Sequence, residues 1–297
     1  MEHWNPENKS AESRVINVFL LGVLGVVLLY AGVLGLLWFF QERVVFQPPH
    51  GIAPSQVDAR RVTYRADDGV ELFAYVVGEC DPNRGALLAF HGNADLARWF
   101  VPWAARVARE TALCVVIPEY RGYDGLSGRP SYAGSSLDAA AAYAFVRDSL
   151  TIPPERIALF GHSLGSAIAS ELATTYAPRV LLLQSPFSTA RAMAARMFLP
   201  GLASFFDLIS RVHFNTVDRV RRLGAPVWVA HGDRDIIIPV DMGREVFGAA
   251  RVKGELLIVH GAGHNDVAEV GGREYWSWLS RALAASPGAP AGKRSAP

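Results

Sequence analysis

Along this chain the hydrophobic positions change period twice. Residues 15–40 form one run without a single charge, rich in Leu, Val, Gly and Phe. That is longer than the ~20 residues a helix needs to cross a hydrocarbon core. The run is too long for the apolar region of a signal peptide and ends on Leu37-Trp38-Phe39-Phe40-Gln41-Glu42-Arg43, not on small residues. The pattern therefore favours an uncleaved anchor over residues 15–41, with aromatics suited to an interface belt. A polar tail over 1–14 precedes it, and a linker over 42–59 carries Pro48-Pro49-His50-Gly51. Lys9 and Arg14 flank the run on one side and Arg43 on the other. This balance leans towards an N-inside arrangement with the bulk of the chain on the exoplasmic side.

From residue 60 onward short apolar runs alternate with helical patterns. Residues 62–65 and 71–77 read as strands joined by Ala66-Asp67-Asp68-Gly69, a hairpin signal. Strands follow at 85–90, 113–118, 156–160, 180–184, 226–230 and 256–259. Helices are expected at 96–111, 136–150, from the turn after residue 160 through 175, and at 272–284. This order predicts an α/β fold over 60–284: a mostly parallel sheet covered by helices on both faces, with an antiparallel hairpin at its start. Residues 186–224 interrupt the alternation and predict a small cap. Its Met193, Met197, Phe198, Leu199, Leu202, Phe205, Phe206, Leu208 and Ile209 either pack on the domain or line an acyl pocket. Residues 285–297 turn to Pro, Gly, Ala and Lys, the composition of a disordered tail.

Composition narrows the function by exclusion. Lys plus Arg number 29 and Asp plus Glu 28, so net charge does not point to nucleic acid. The two cysteines, Cys80 and Cys114, lie far apart and predict neither a disulfide framework nor a metal site. Cys114, inside an apolar run, is expected as a small core residue.

In a parallel sheet, ligands bind beyond the carboxyl ends of the strands. Four loops at such ends carry chemistry: His91-Gly92-Asn93-Ala94, Gly161-His162-Ser163-Leu164-Gly165, His231-Gly232-Asp233-Arg234-Asp235 and His260-Gly261-Ala262-Gly263-His264. Strand, Gly-x-Ser-x-Gly and small-residue helix together read as a nucleophile elbow centred on Ser163. Serine needs a base to take its proton as it attacks. His264 suits that role, with His260 as rival. Asp235 is the expected carboxylate partner, because the apolar Ile236-Ile237-Ile238-Pro239 after it helps seat a carboxylate in a partly buried site, with Asp233 as rival. His91, His162 and His231 are expected to be structural.

With these residues in place, the chain resembles the α/β-hydrolases, and most of all the membrane-anchored Bem46-like and ABHD-type group. The carriers are His91-Gly92-Asn93-Ala94, Glu119-Tyr120-Arg121-Gly122-Tyr123, Ser127-Gly128-Arg129-Pro130, Gly161–Gly165, Ser185-Pro186-Phe187, His231–Asp235 and Gly263-His264-Asn265. The resemblance implies a Ser163–His264–Asp235 triad. It also implies an oxyanion hole made by the backbone N–H groups of Asn93 and Leu164, and no metal or organic cofactor. The segment Tyr123-Asp124-Gly125-Leu126-Ser127 departs from the family's tighter turn. The implied activity is hydrolysis of an ester, thioester or lipid acyl bond. A peptidase or amidase on the same fold, and a silent binding or scaffold protein, stand as alternatives.

Overall fold

The computed structural model describes residues 6–51, 57–197, 206 and 210–284. Of the expected cap residues, Phe198, Leu199, Leu202, Phe205, Leu208 and Ile209 lie outside these, as does the tail over 285–297.

Helix α1 (Pro6–Val45) takes in the uncharged run and continues past it at both ends. The expected polar tail supplies helix-forming Glu, Lys and Ala, with a proline at the first position, where its missing N–H costs nothing. Past residue 41 the helix keeps its turns through Val45 because Pro48 and Pro49 stop it only later. Residues 16–32 of α1 are exposed throughout. From Val33 a partly buried stripe begins at Val33, Leu34, Leu37, Gln41, Val44 and Val45, the spacing of one helical face.

Eight strands form one sheet in the order β1-β2-β4-β3-β5-β6-β7-β8. β1 (Arg60–Arg65) and β2 (Glu71–Val77) make the hairpin across Asp68-Gly69. β2 pairs antiparallel with β4 (Cys114–Pro118). All further pairings are parallel, through β3 (Ala86–Phe90), β5 (Ile157–His162), β6 (Leu181–Gln184), β7 (Val227–Gly232) and β8 (Lys253–Val259). Period-two alternation sends Leu88, Phe90 and Val116 into one core, and Leu87, Ala89 and Val115 into a second on the other face. Strands buried on both faces read in the sequence as continuous apolar runs for this reason. Around them lie α2 (Val101–Thr111), α3 (Tyr132–Ala144), α4 (Leu164–Thr175), α5 (Ala190–Met197), α6 (Thr216–Arg222), α7 (Val240–Ala249) and α8 (Val267–Ala284). Four helices differ from expectation. α3 starts at Tyr132, four residues ahead of its expected start, and passes into a wider turn over Phe145–Ser149, and α7 has no counterpart in the sequence reading. The one expected over 96–111 divides into a tight turn, Ala97–Phe100, and α2, at Pro102. α8 begins ahead of the predicted start and kinks at Gly272, whose φ of 46° an L-residue rarely adopts.

The cysteine expectation is overturned. Cys80 and Cys114 form a disulfide, their Cα atoms 4.9 Å apart. Sequence separation concealed it because β2 and β4 are sheet neighbours: Val77 pairs with Val115, which brings the residues after β2 beside the start of β4. Cys114 is nonetheless fully buried, as a core residue should be. Closing a loop over 34 positions restricts the unfolded chain, so Cys80→Ala/Cys114→Ala should cost about 2–4 kcal/mol. A denaturant midpoint identical to that of the oxidised wild type would show that the bond contributes nothing.

Candidate active site

The chain leaves β3 to build β4 on one side and returns to build β5 on the other, so β3 and β5 flank the switch point of the sheet. The loops after these two strands diverge there and leave a crevice. Asn93 follows β3 and Ser163 follows β5. Ser163 has φ 52° and ψ −117°, a strained conformation for a residue with a Cβ. The surroundings enforce it. A Cβ on Gly161 would strike the Gly165 backbone, and one on Gly165 would strike the carbonyls of Phe90 and His91. The Ser163 N–H donates to the Gln184 carbonyl at 3.0 Å, which ties the turn to β6.

The loops after β7 and β8 bring their polar residues to the same edge. His264 Nε2 lies 2.8 Å from Ser163 Oγ, and His264 Nδ1 lies 2.7 Å from Asp235 Oδ2. The other Asp235 oxygen, Oδ1, accepts the N–H groups of Ile237 (2.9 Å) and Ile238 (2.8 Å). Burial opposes ionisation of Asp235, but hydrogen bonds from His231 and His264, the charge of His264 and the Ile238 N–H outweigh it. The carboxyl is held well below its ordinary range. Backbone donors seat this carboxylate, and the apolar run contributes less than its sequence suggests. Ile238 is buried, whereas Ile236 and Ile237 are 91% and 52% exposed.

The two rivals pair with each other instead. His260 Nδ1 lies 2.9 Å from Asp233 Oδ2, and Asp233 Oδ1 accepts the Gly261 N–H at 2.7 Å. The two side chains pin the β7 and β8 loops together. Asp266 Oδ1 accepts the Gly263 N–H at 2.6 Å and shapes the turn that carries His264.

His91, His162 and His231 build the scaffold of the site. Buried His91 bridges Glu119 Oε1 and the Gly92 carbonyl, each at 2.9 Å. His231 Nε2 donates to the Ile238 carbonyl at 2.8 Å and stands 3.2 Å from Asp235 Oδ2. His162 Nε2 donates to the His264 carbonyl at 3.2 Å. Burial, followed by the nearby charge of His264, pushes the His162 pKa down to about 3, so it stays neutral. The Ser185 hydroxyl reaches the same carbonyl at 3.4 Å. The backbone of His264 is thus held from β5 and from the loop after β6, a support the sequence did not reveal.

Asn93 and Leu164 both border the cavity beside Ser163. Leu164 opens α4, so its N–H lies in the first turn, where no intrahelical acceptor exists. The Asn93 side chain is fixed by two donors: the Tyr123 hydroxyl at 2.8 Å and the Gln47 N–H at 2.9 Å. Tyr123 begins the segment that departs from the family pattern. In it Asp124 has φ 43°, and Tyr123 is fully buried with its hydroxyl on Asn93. Gln47 belongs to the stretch expected as a plain linker, and only the folded chain shows that it reaches this loop.

The cavity above Ser163 has a volume of about 330 Å³. Its described lining carries no charged side chain. Met193, Ala194 and Phe206 form one side, so described parts of the cap do line the pocket, and α1 forms another.

Comparison with known proteins agrees with this fold. Over 272 residues the chain is 34% identical to an uncharacterized protein of Mycobacterium tuberculosis, covering 89% of this chain and 94% of that protein. Human alpha/beta hydrolase domain-containing protein 17B is 28% identical over 194 residues, 63% of each chain. The Pyrococcus furiosus esterase PF2001 superposes with a TM-score of 0.64 at 19% identity, over 82% of this chain and 99% of its own. The model of the alpha/beta hydrolase family matches residues 86–252, and the chain belongs to that family.

Proposed function

We propose that this protein is a membrane-anchored serine hydrolase that cleaves an ester, thioester or lipid acyl bond. The observation that carries the proposal is the hydrogen-bonded series Ser163–His264–Asp235, with Ser163 opening on a cavity whose described lining is uncharged. In this reading Ser163 Oγ attacks the substrate carbonyl while His264 Nε2 takes its proton. Asp235 holds the imidazole in the tautomer that leaves Nε2 free to accept, and stabilises the imidazolium that forms. The N–H groups of Asn93 and Leu164 receive the oxyanion. The imidazolium returns the proton to the leaving group, and an acyl-enzyme remains. Water, deprotonated by His264, then releases the acid.

The apolar lining favours an acyl group over a peptide, whose polar backbone would find few partners there. Kinetics on p-nitrophenyl esters and aminoacyl amides decide between them, with faster amide turnover reversing the assignment. Labelling by a fluorophosphonate, in which Ser163 Oγ displaces fluoride from phosphorus, tests the nucleophile itself.

α1 is the anchor in this reading, with the hydrolase domain on the exoplasmic side. The Cys80–Cys114 disulfide supports that side, since such bonds persist in oxidising compartments. Protease added to spheroplasts with an intact inner membrane should reach the domain, whether it is exoplasmic or periplasmic. Cleavage only after that membrane is lysed would place it inside.

A further inference from the structure

The carboxyl-terminal turns of α1 enter the site itself. Leu37, Gln41, Val44 and Val45 line the same cavity as Ser163. They belong to the partly buried stripe that begins at Val33, whereas Trp38, Phe39 and Phe40 are exposed on the helix's other sides. The helix is clamped in this position. Gln41 Oε1 accepts the Arg211 N–H at 2.6 Å, and Glu42 Oε1 accepts the Tyr132 N–H at 3.3 Å. The Arg211 guanidinium stacks on Trp38 at 4.8 Å, and Phe46 is buried against Phe214. Just beyond the helix, the Gln47 N–H holds the Asn93 side chain.

The end of α1 at Val45 therefore lies beside the oxyanion loop, and Leu37 is the lining residue of the helix farthest from it. Eight residues separate them, roughly 12 Å along the axis. Over that distance α1 passes from the domain to the level of its aromatic belt, where a bilayer interface sits. The apolar stretch Ile16–Val45 spans 30 residues, about 45 Å of helix against a hydrocarbon core of about 30 Å. The excess lets the last turns leave the bilayer core and still serve the domain.

We propose that these turns of α1 are the acyl-binding wall of the active site. The acyl chain of the substrate lies along the membrane helix, running from Ser163 towards the bilayer, with Leu37 limiting its length. This rests on the hydrolase reading above and adds to it the substrate class, an ester of a medium or long acyl chain, and the element that selects it. A helix that builds the pocket is also a retained part of the enzyme, which a cleaved signal sequence could not be.

The test uses the full-length protein in lipid nanodiscs. Leu37→Trp fills the distal end of the cavity, and Val26→Trp adds the same bulk on the exposed part of α1. Each is compared with wild type by the ratio of kcat/KM for dodecanoyl and acetyl p-nitrophenyl esters. One methylene denied a pocket costs roughly 10–200-fold, so Leu37→Trp should lower the ratio by at least about tenfold. Val26→Trp should leave it at the wild-type value. Equal ratios in all three proteins would overturn the proposal, as would an equal fall in both variants. Labelling by a small fluorophosphonate reports whether each variant is folded. Should Leu37→Trp fail that check, Leu37→Ala opens the wall and should shift preference towards hexadecanoyl esters; an unchanged preference overturns the proposal equally. Wild-type protein that neither labels nor hydrolyses any ester would instead defeat the hydrolase reading itself.

Discussion

Ser163→Ala should abolish fluorophosphonate labelling and lower kcat for ester hydrolysis by about five to six orders of magnitude. The size of the effect follows from what the hydroxyl does. Without Oγ no acyl-enzyme forms, and His264 has only water to activate, from a position 2.8 Å from the lost oxygen. The loss should fall on kcat with little change in KM, because the cavity proposed to bind the substrate is unchanged. The fold should tolerate the change. Ser163 Oγ has His264 as its partner, while the elbow is held by the Ser163 backbone and by the close approach of Gly161 and Gly165. Equal kcat in wild type and variant would mean that any hydrolysis comes from elsewhere, and would restore the scaffold reading.

The positions of Ser163, Asp235 and His264 were legible because each depends on local pattern: an apolar strand, then a short polar loop at its carboxyl end. The same holds for the sheet, whose strands are continuous apolar runs, and for the hairpin across Asp68-Gly69. What escaped depends on which strands become neighbours. The Cys80–Cys114 bond follows from the β2–β4 pairing, which no spacing along the chain encodes. The hold of His162 and Ser185 on the His264 carbonyl likewise requires β5, β6 and β8 to be placed first. Gln47 and α1 escaped for another reason. A long apolar run and a proline-rich join each have a sufficient explanation in their composition, and nothing in that composition signals a second role in the cavity. The Ile236–Ile238 run misled in a smaller way, since its apolar side chains suggested packing where its backbone N–H groups supply the stabilisation.

The second large effect is expected at the carboxylate. Asp235→Asn should lower kcat by roughly 10⁴-fold while fluorophosphonate labelling slows without vanishing. The asparagine can keep the Ile237 and Ile238 N–H bonds through its oxygen, so the loop geometry survives. Its amide nitrogen then faces His264 Nδ1, a donor where an acceptor stood 2.7 Å away. The imidazole answers by placing its proton on Nε2, which can no longer accept from Ser163. His231, 3.2 Å from Asp235 Oδ2, loses the same charge. Stability responds as well, with a definite sign. The Asp235 pKa is depressed in the folded protein, so its contribution is fully present above the ordinary carboxylate value of about 4. That contribution fades as pH falls from there towards the folded-state value. The difference in unfolding free energy between wild type and Asp235→Asn should therefore be largest near neutrality and shrink below about pH 4. Denaturant unfolding of both proteins between neutral and acidic pH measures it. A difference that stays constant, or grows towards acid, would mean that the carboxylate is not held ionised by His231, His264 and the loop N–H groups, and the role assigned to Asp235 would fall with it.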